Sequence, residues 1–312
     1  MSGTILAIVG PTASGKTRLA VELALALGGE VVSADSMQVY RGMDIGTAKP
    51  TREEMRGVPH HMLDVAEPGE DFSAARYVTM ASACVDDILA RGKLPIIAGG
   101  TGLYVDALIA GREFAAFDPS SPLRAELEAR FDREGGAAML EELAAVDPDA
   151  AARLHPNDRK RIVRALEIWY ATGDTITRHD REDRTRPPRY RAARVGLAFA
   201  RREDTWERID RRVDEMMAAG LADEVRGLLE RGVDERATAM QAIGYKEIAR
   251  ALRGGGDLET AAEEVKLRSR QYAKRQMTWF RRQEIHWHLW DGRPDFAEAL
   301  RDSTEYLHQF GL

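Results

Sequence analysis

A single cysteine, Cys84, stands among the 312 residues of this chain. It excludes an internal disulfide or a zinc site built on cysteines, and fits a reducing compartment. No apolar run approaches the roughly 20 residues that cross a bilayer. The one near the N-terminus, Ile5-Leu6-Ala7-Ile8-Val9, is short and has no basic residues ahead of it, unlike a secretory leader. A soluble, cytoplasmic chain away from membranes is therefore expected. An overall positive charge is missing too: the formal net charge is −6, so any surface for a polyanion must come from local clusters. Apolar residues are not scarce. At 44% hydrophobic and 31% charged, the composition is that of an ordinary globular protein, and the length suits about two domains.

The strongest signal is Gly10-Pro11-Thr12-Ala13-Ser14-Gly15-Lys16-Thr17, a glycine, four residues, then Gly-Lys-Thr. The apolar run before it reads as a buried strand, and Arg18 to Leu27 reads as a helix closed by Gly28-Gly29. Strand, loop and helix gather backbone N–H groups and a helix N-terminus around one point, which attracts a di- or triphosphate. Lys16 adds a positive charge, and the Thr17 hydroxyl is a candidate ligand for Mg2+.

A second strand, Glu30 to Ala34, runs into Asp35-Ser36-Met37-Gln38-Val39-Tyr40. A carboxylate just past the carboxyl end of such a strand faces the crevice where open α/β sheets bind ligands. A turn or N-cap aspartate is the competing reading of Asp35. Arg41 to Pro50 is expected to be a loop, and Phe72 to Arg91 a helix with Ser73 near its start. A third strand, Lys93 to Ala98, ends in Gly99-Gly100-Thr101, where a phosphate-loop NTPase commonly places a magnesium-holding aspartate. The missing carboxylate argues against ATP hydrolysis, although Thr101 could simply cap the next helix.

From about Gly111 strand candidates disappear. After a break at Asp118-Pro119-Ser120-Ser121-Pro122, three short helices are expected at Leu123 to Phe131, Ala137 to Val146 and Asp158 to Thr172. An all-helical insertion over residues 113–190 thus interrupts an α/β core formed by residues 1–112 and 191–312. Residues 177–194, with seven arginines against three acidic residues and Pro187-Pro188, read as a charged linker. Val195 to Phe199 returns to the sheet. Thr205 is expected to N-cap one helix running through Ile209, Val213, Met216, Met217, Val225 and Leu228, with Arg208, Arg211 and Arg212 in its first turns. Thr260 and Glu263 read as the capping box of a long helix to Arg282, on which basic residues alternate with Tyr272, Trp279 and Phe280. Such interleaving suits RNA, whose phosphates meet the cations and whose bases stack on rings; a solvated helix face is the alternative. Ile285, Trp287 and Leu289 suggest a closing strand, and His286 and His288 between them show no cysteine or carboxylate partner in sequence.

The phosphate loop, the segment from Asp35 to Tyr40, Met43-Asp44-Ile45-Gly46-Thr47-Ala48-Lys49-Pro50, Gly99-Gly100-Thr101, His155-Pro156-Asn157-Asp158, Arg164-Ala165-Leu166-Glu167, Ile243-Gly244-Tyr245 and Ala273-Lys274-Arg275-Gln276 together resemble the tRNA dimethylallyltransferase family. Each motif is modest alone; their ordered set is specific. The resemblance implies transfer of a dimethylallyl group from dimethylallyl diphosphate to the exocyclic amine, N6, of the adenosine 3′ of the anticodon. It implies Mg2+, tRNA as partner through its anticodon stem-loop, and a phosphate-loop NTPase-like parallel sheet carrying a helical insertion. With one cysteine and little chain after the long helix, the sequence looks like the bacterial form, and a monomer is expected. By the same resemblance Asp35, Thr101 and Arg212 are catalytic candidates. Asp35, Ser36, Met37, Gln38, Thr101, Leu123, Arg159, Lys160, Arg161, Ile162, Val163, Met240, Gln241, Ala242, Ile243, Gly244 and Tyr245 would then meet tRNA.

These parts suit that chemistry. Departure of diphosphate from an allylic carbon leaves negative charge that fixed donors stabilise, and a carboxylate can take the proton of a weakly nucleophilic amine. Two other readings use the same loop. A small-molecule or nucleotide kinase would employ Asp35 toward a hydroxyl, whereas a non-catalytic RNA-binding switch would leave Asp35 without a role.

Overall fold

The computed structural model describes residues 3–114 and 121–312, apart from the side chain of Arg184. They fall into two compact units: one runs to Gly111 and resumes at Arg189–Leu312, and the other is Arg112–Pro188.

In the first unit β1 (Thr4–Val9) leads through the phosphate loop into α1 (Lys16–Leu27), followed by β2 (Gly29–Ser33), α2 (Arg52–Met55), β3 (His60–His61), α3 (Ala74–Ala90), β4 (Leu94–Gly99) and α4 (Gly102–Ala110). The second unit holds α5 (Pro122–Glu134), α6 (Gly136–Val146), α7 (Pro148–Ala151), α8 (Arg159–Thr172) and α9 (Ile176–Thr185). The first unit resumes with β5 (Arg191–Phe199), α10 (Arg202–Ala218), α11 (Leu221–Glu230), α12 (Tyr245–Gly254), α13 (Leu258–Phe280), β6 (His286–Trp290) and α14 (Phe296–His308).

The six strands lie in the order β3-β2-β4-β1-β5-β6, and every pairing is parallel. Strands covered on both faces read as continuous apolar runs, and residues 5–9 of β1 are completely buried. The core beneath them joins Leu19 and Leu23 of α1 to Ile96 of β4, Leu197 of β5 and Leu307 of α14. Each such side chain contributes about 1.5–3 kcal/mol by leaving water. The chain passes from β1 to β2 leaving room for β4, then turns back to β5, so the order reverses beside β1. Open α/β sheets bind ligands outside their carboxyl edge at such a reversal. Register aligns Val9 with Gly99 and Ser33 with Ala98, which brings the phosphate loop, Asp35 and Thr101 to one edge.

The second unit packs Leu127, Met139, Leu143, Ile162 and Leu166 into a core of its own. Asp147 ties it at a turn: its carboxylate accepts from Ala150 N at 3.0 Å, Thr177 N at 3.0 Å and the Thr177 hydroxyl at 2.6 Å. Of the break expected at Asp118 to Pro122, residues 118–120 lie outside the described residues, and Pro122 opens α5.

Several local expectations are corrected. Residues 177–194 are not a linker: α9 covers Ile176–Thr185, N-capped by Thr175, whose side chain accepts from Arg178 N. Pairs such as Arg178 with Asp174 and Glu182 one turn away support a helix with little apolar face to betray it. Thr205 is not a cap but lies inside α10, which starts at Arg202 with Glu203 and Asp204 in its first turn, where acids complement the helix dipole. The single helix expected from Thr205 to Leu228 is two, parted at Gly220 in a left-handed conformation, φ 98°. Thr260 does not cap α13. Asp257 does, accepting from Glu259 N and Thr260 N, and the Thr260 hydroxyl itself donates to that carboxylate. An ionised acceptor makes the stronger cap.

Candidate active site

Gly15 precedes α1 without a side-chain cap, which leaves the first backbone N–H groups of that helix free for an anion. Two long-range contacts fix the loop from behind. The Thr12 N–H donates to Gln276 Oε1 at 2.9 Å, and Trp290 Nε1 donates to the Ser14 carbonyl at 3.0 Å. Gln276 Nε2 also donates to Gly100 O at 2.9 Å, so one buried amide joins the phosphate loop to the end of β4. A Cβ on Gly100 would stand 2.1 Å from that nitrogen, closer than atoms approach, so the bridge leaves no room for a side chain at 100.

Lys16 Nζ donates to Pro11 O at 2.6 Å. Loss of water around its ammonium, with repulsion from Arg212 outweighing attraction by Asp35, lowers its pKa from 10.5 to about 7. Of the three arginines on α10, Arg208 Nε donates to Ala13 O at 3.1 Å and Arg212 Nη1 to Thr12 Oγ1 at 3.4 Å. Arg211 instead pairs with Glu207 at 2.7 Å. These groups surround a polar pocket of about 340 Å³ lined also by Thr17, Glu54 and Glu215. Ser14 Oγ is buried, and among the described residues it has no hydrogen-bond partner.

A second pocket, of about 290 Å³, shares Ala48 and Arg212 with the first. Asp35, Thr12 and Arg275 supply its polar side; Ile209, Val213, Met216, Ile243 and Val265 supply an apolar wall. Asp35 makes the turn contacts its type favours, Oδ1 accepting from Met37 N at 2.9 Å and from Gln38 N at 3.4 Å. Its other carboxylate oxygen is unengaged among the described residues. Thr101 makes no side-chain cap to α4; its hydroxyl accepts from Ser36 N at 3.1 Å and so braces the Asp35 turn. Burial, increased in effect by Asp35 nearby, pushes the Tyr272 phenol up to about 12.

The loop over this pocket, residues 41–50, is held from three sides. Glu224 accepts from the N–H groups of Asp44, Ile45 and Gly46 at 2.8, 2.9 and 3.1 Å and from the Tyr245 hydroxyl. Gln38 Nε2 donates to Thr47 O and Ala48 O, each at 3.2 Å. Lys49 Nζ, largely buried, donates to Tyr40 O at 2.8 Å and pairs with Asp44 and Asp64, both at 2.6 Å.

The remaining candidates divide by exposure. Met240, Ala242 and Tyr245 are buried, Ile243 and Gly244 line the second pocket, and Gln241 Nε2 donates to Glu235 O. In the second unit Ile162 and Val163 belong to the core, with Leu123 packed against it. Arg159 is paired with Asp132, whereas Lys160 and Arg161 are exposed and carry no acidic partner among the described residues. On α13 the early cations are neutralised, Lys266 by Asp214 and Glu263, Arg268 by Glu264 and Arg270 by Asp210. Lys274, Arg275, Arg281 and Arg282 are exposed and lack such partners among the described residues.

The model of a family described as IPP transferase matches residues 38–283. The chain belongs to the IPP transferase family. A tRNA dimethylallyltransferase of Caldanaerobacter subterraneus subsp. tengcongensis is 47% identical over 98% of each chain. The tRNA dimethylallyltransferase 1 of Pelobacter propionicus is 50% identical over 97% of each. The crystal structure of the tRNA isopentenylpyrophosphate transferase from Bacillus halodurans superimposes with TM-score 0.72 at 42% identity, covering 99% of this chain and 98% of that one. A eukaryotic dimethylallyltransferase acting on tRNA gives TM-score 0.83 at 29% identity, covering 99% of this chain and 80% of that one. The sheet and its phosphate loop are thus the phosphate-loop NTPase-like core of this family.

Residue reasoning did not single out Gln276, Glu224 or Lys49 as organisers of the site. In the sequence Gln276 stands out only as part of a family motif, and Glu224 has the look of any acid on a solvated helix. Their partners lie 176 and 180 positions away along the chain, beyond what local pattern carries.

Proposed function

We propose that the protein transfers a dimethylallyl group from dimethylallyl diphosphate to N6 of the adenosine 3′ of the anticodon in tRNA, acting in the cytoplasm. The observation that carries this reading is the pairing of a cationic phosphate pocket with an adjoining pocket that has one carboxylate and an apolar wall. Diphosphate would lie on the N–H groups of residues 14–17 with Lys16, Arg208 and Arg212 around it. The branched five-carbon chain would lie against Ile209, Val213, Met216, Ile243 and Val265. As the carbon–oxygen bond to diphosphate breaks, the amine nitrogen bonds to that carbon, and its proton passes to the free oxygen of Asp35. The electrons of the broken bond leave with diphosphate, whose charge the loop and its cations stabilise. Thr101 holds the turn on which Asp35 sits.

The residues present fit Mg2+. Thr17 offers an exposed hydroxyl without a partner among the described residues, and Glu54 and Glu215 line the same pocket, an all-oxygen donor set of the kind this ion takes. Bound there with diphosphate, Mg2+ would neutralise charge on the leaving group. Lys274, Arg275, Arg281 and Arg282, on α13 or just past its end, would supply cations without acidic partners among the described residues for tRNA phosphates, and Lys160 and Arg161 on α8 would supply a separate set.

The deciding experiment supplies unmodified tRNA, Mg2+ and either labelled dimethylallyl diphosphate or labelled ATP. Label should enter RNA from the prenyl donor alone. Phosphate passing from ATP to a small acceptor, without prenyl transfer, would establish a kinase instead.

A further inference from the structure

The closing strand and the last helix bring together three metal-ligating side chains that the proposed reaction does not use. His286 and His288 stand two apart on β6, so both side chains leave the same face of the sheet. Asp302 reaches them from α14. Asp302 Oδ2 lies 2.6 Å from His286 Nε2 and 3.4 Å from His288 Nδ1, and one ligand atom from each residue falls within 4.8 Å of the others. From this geometry we propose that His286, His288 and Asp302 form a binding site for a divalent transition-metal ion, with Zn2+ the best match.

Three arguments support it. Zinc bonds to nitrogen and carboxylate oxygen are about 2.0–2.2 Å long, which puts tetrahedral donors roughly 3.4 Å apart. The His288–Asp302 distance already has that value, and the carboxylate need retreat from His286 by less than about 1 Å. The second argument is the environment of the rings. His288 Nε2 lies 2.9 Å from the Oγ of fully buried Ser303, the contact by which a ligating histidine is held in the tautomer with its other nitrogen free. His286 is held by stacking on Tyr306, ring centroids 4.4 Å apart. The third is access: Asp302 is 48% exposed and His286 31%, leaving the fourth position to water. Three protein ligands with an open position suit Zn2+, whereas Mg2+ prefers oxygens.

The test uses the full chain stripped of metal by chelation. Calorimetry with Zn2+ alone should show one strong site. Titration followed by histidine NMR should shift the ring signals of His286 and His288 before those of the other histidines, a readout that needs no variant. Asp302→Asn and His286→Gln, each first shown by circular dichroism to be folded, should weaken Zn2+ binding by ~10-fold or more, while His155→Gln leaves it unchanged. Binding of equal strength in the Asp302 and His286 variants, or Zn2+ shifting all histidine signals alike, would overturn the proposal. So would wild-type protein that takes up no Zn2+. Prenyl transfer is not the readout, so failure here and failure of the proposed activity are separately visible.

Discussion

In the proposed reaction Asp35 has two tasks, bracing a turn and taking a proton, and its two carboxylate oxygens separate them. Oδ1 is committed to the turn through Met37 and Gln38, and the other oxygen of this pocket-lining side chain has no hydrogen-bond partner among the described residues. Asp35→Asn keeps a turn acceptor while losing basicity, whereas Asp35→Ala loses both. Both should lower kcat by about two to four orders of magnitude, but only the alanine variant should also melt earlier; Asn turnover near wild type would remove the base from the mechanism. Lys16 yields a prediction in pH. Its pKa stands near 7 in the free protein against 10.5 in an unfolded chain. The shift is downward, so the cost of holding this cation in the loop is full below pH 7 and relieved as pH rises from 7 toward 10.5. A bound diphosphate favours the charged form. Binding at pH 8 should therefore take up close to about one proton, measured by calorimetry in two buffers of different ionisation enthalpy, and Lys16→Met should abolish that uptake.

Among the elements, the loop of residues 41–50 owes its shape to a helix far from it in sequence. Glu224 on α11 satisfies three consecutive backbone N–H groups. Glu224→Ala strands them and should cost about 1–3 kcal/mol, raise KM for the prenyl donor and loosen the loop in hydrogen exchange. Unchanged exchange at residues 44–46 would count against the brace. Elements also show where sequence is legible. β1, β2, β4 and β5 could be read because buried parallel strands are written as apolar runs next to turn residues, and β6 because apolar residues alternate there with His286 and His288. The two residues of β3 carry no such pattern, since the strand exists only through its pairing with Val31 and Val32. The helix α9 was obscured by its charges. Both threonines taken for caps failed because another arrangement won locally, an ionised aspartate three residues earlier for Thr260 and an acidic first turn for Thr205. At the site, the loop, Asp35 and Thr101 could be seen in the sequence because a chain reversal gathers strand ends. The cross-links by Gln276 and Glu224 could not, because nothing local signals a partner so distant.

Over the whole molecule, a net charge of −6 coexists with cations left unpaired in limited places. Affinity for tRNA should fall steeply with salt, and Lys160→Ala or Arg282→Ala should each lower the slope of log K against log salt by about 1 without changing sequence preference. A flat salt response would dismiss the electrostatic account. The order of strands has a different consequence, for synthesis. β1 lies at the middle of the sheet, yet its two neighbours are β4 and β5, and β5 is made only after the whole helical unit between Gly111 and Arg189. A nascent chain leaving the ribosome therefore carries a completed helical unit while its apolar first strand is still open on one flank. The flank closes when residues 191–199 emerge, and until then β1 is a sticky edge of the sort chaperones cover. Topology thus delays the completion of the central pairing: β1 is made first, and its second partner β5 follows only after the helical unit.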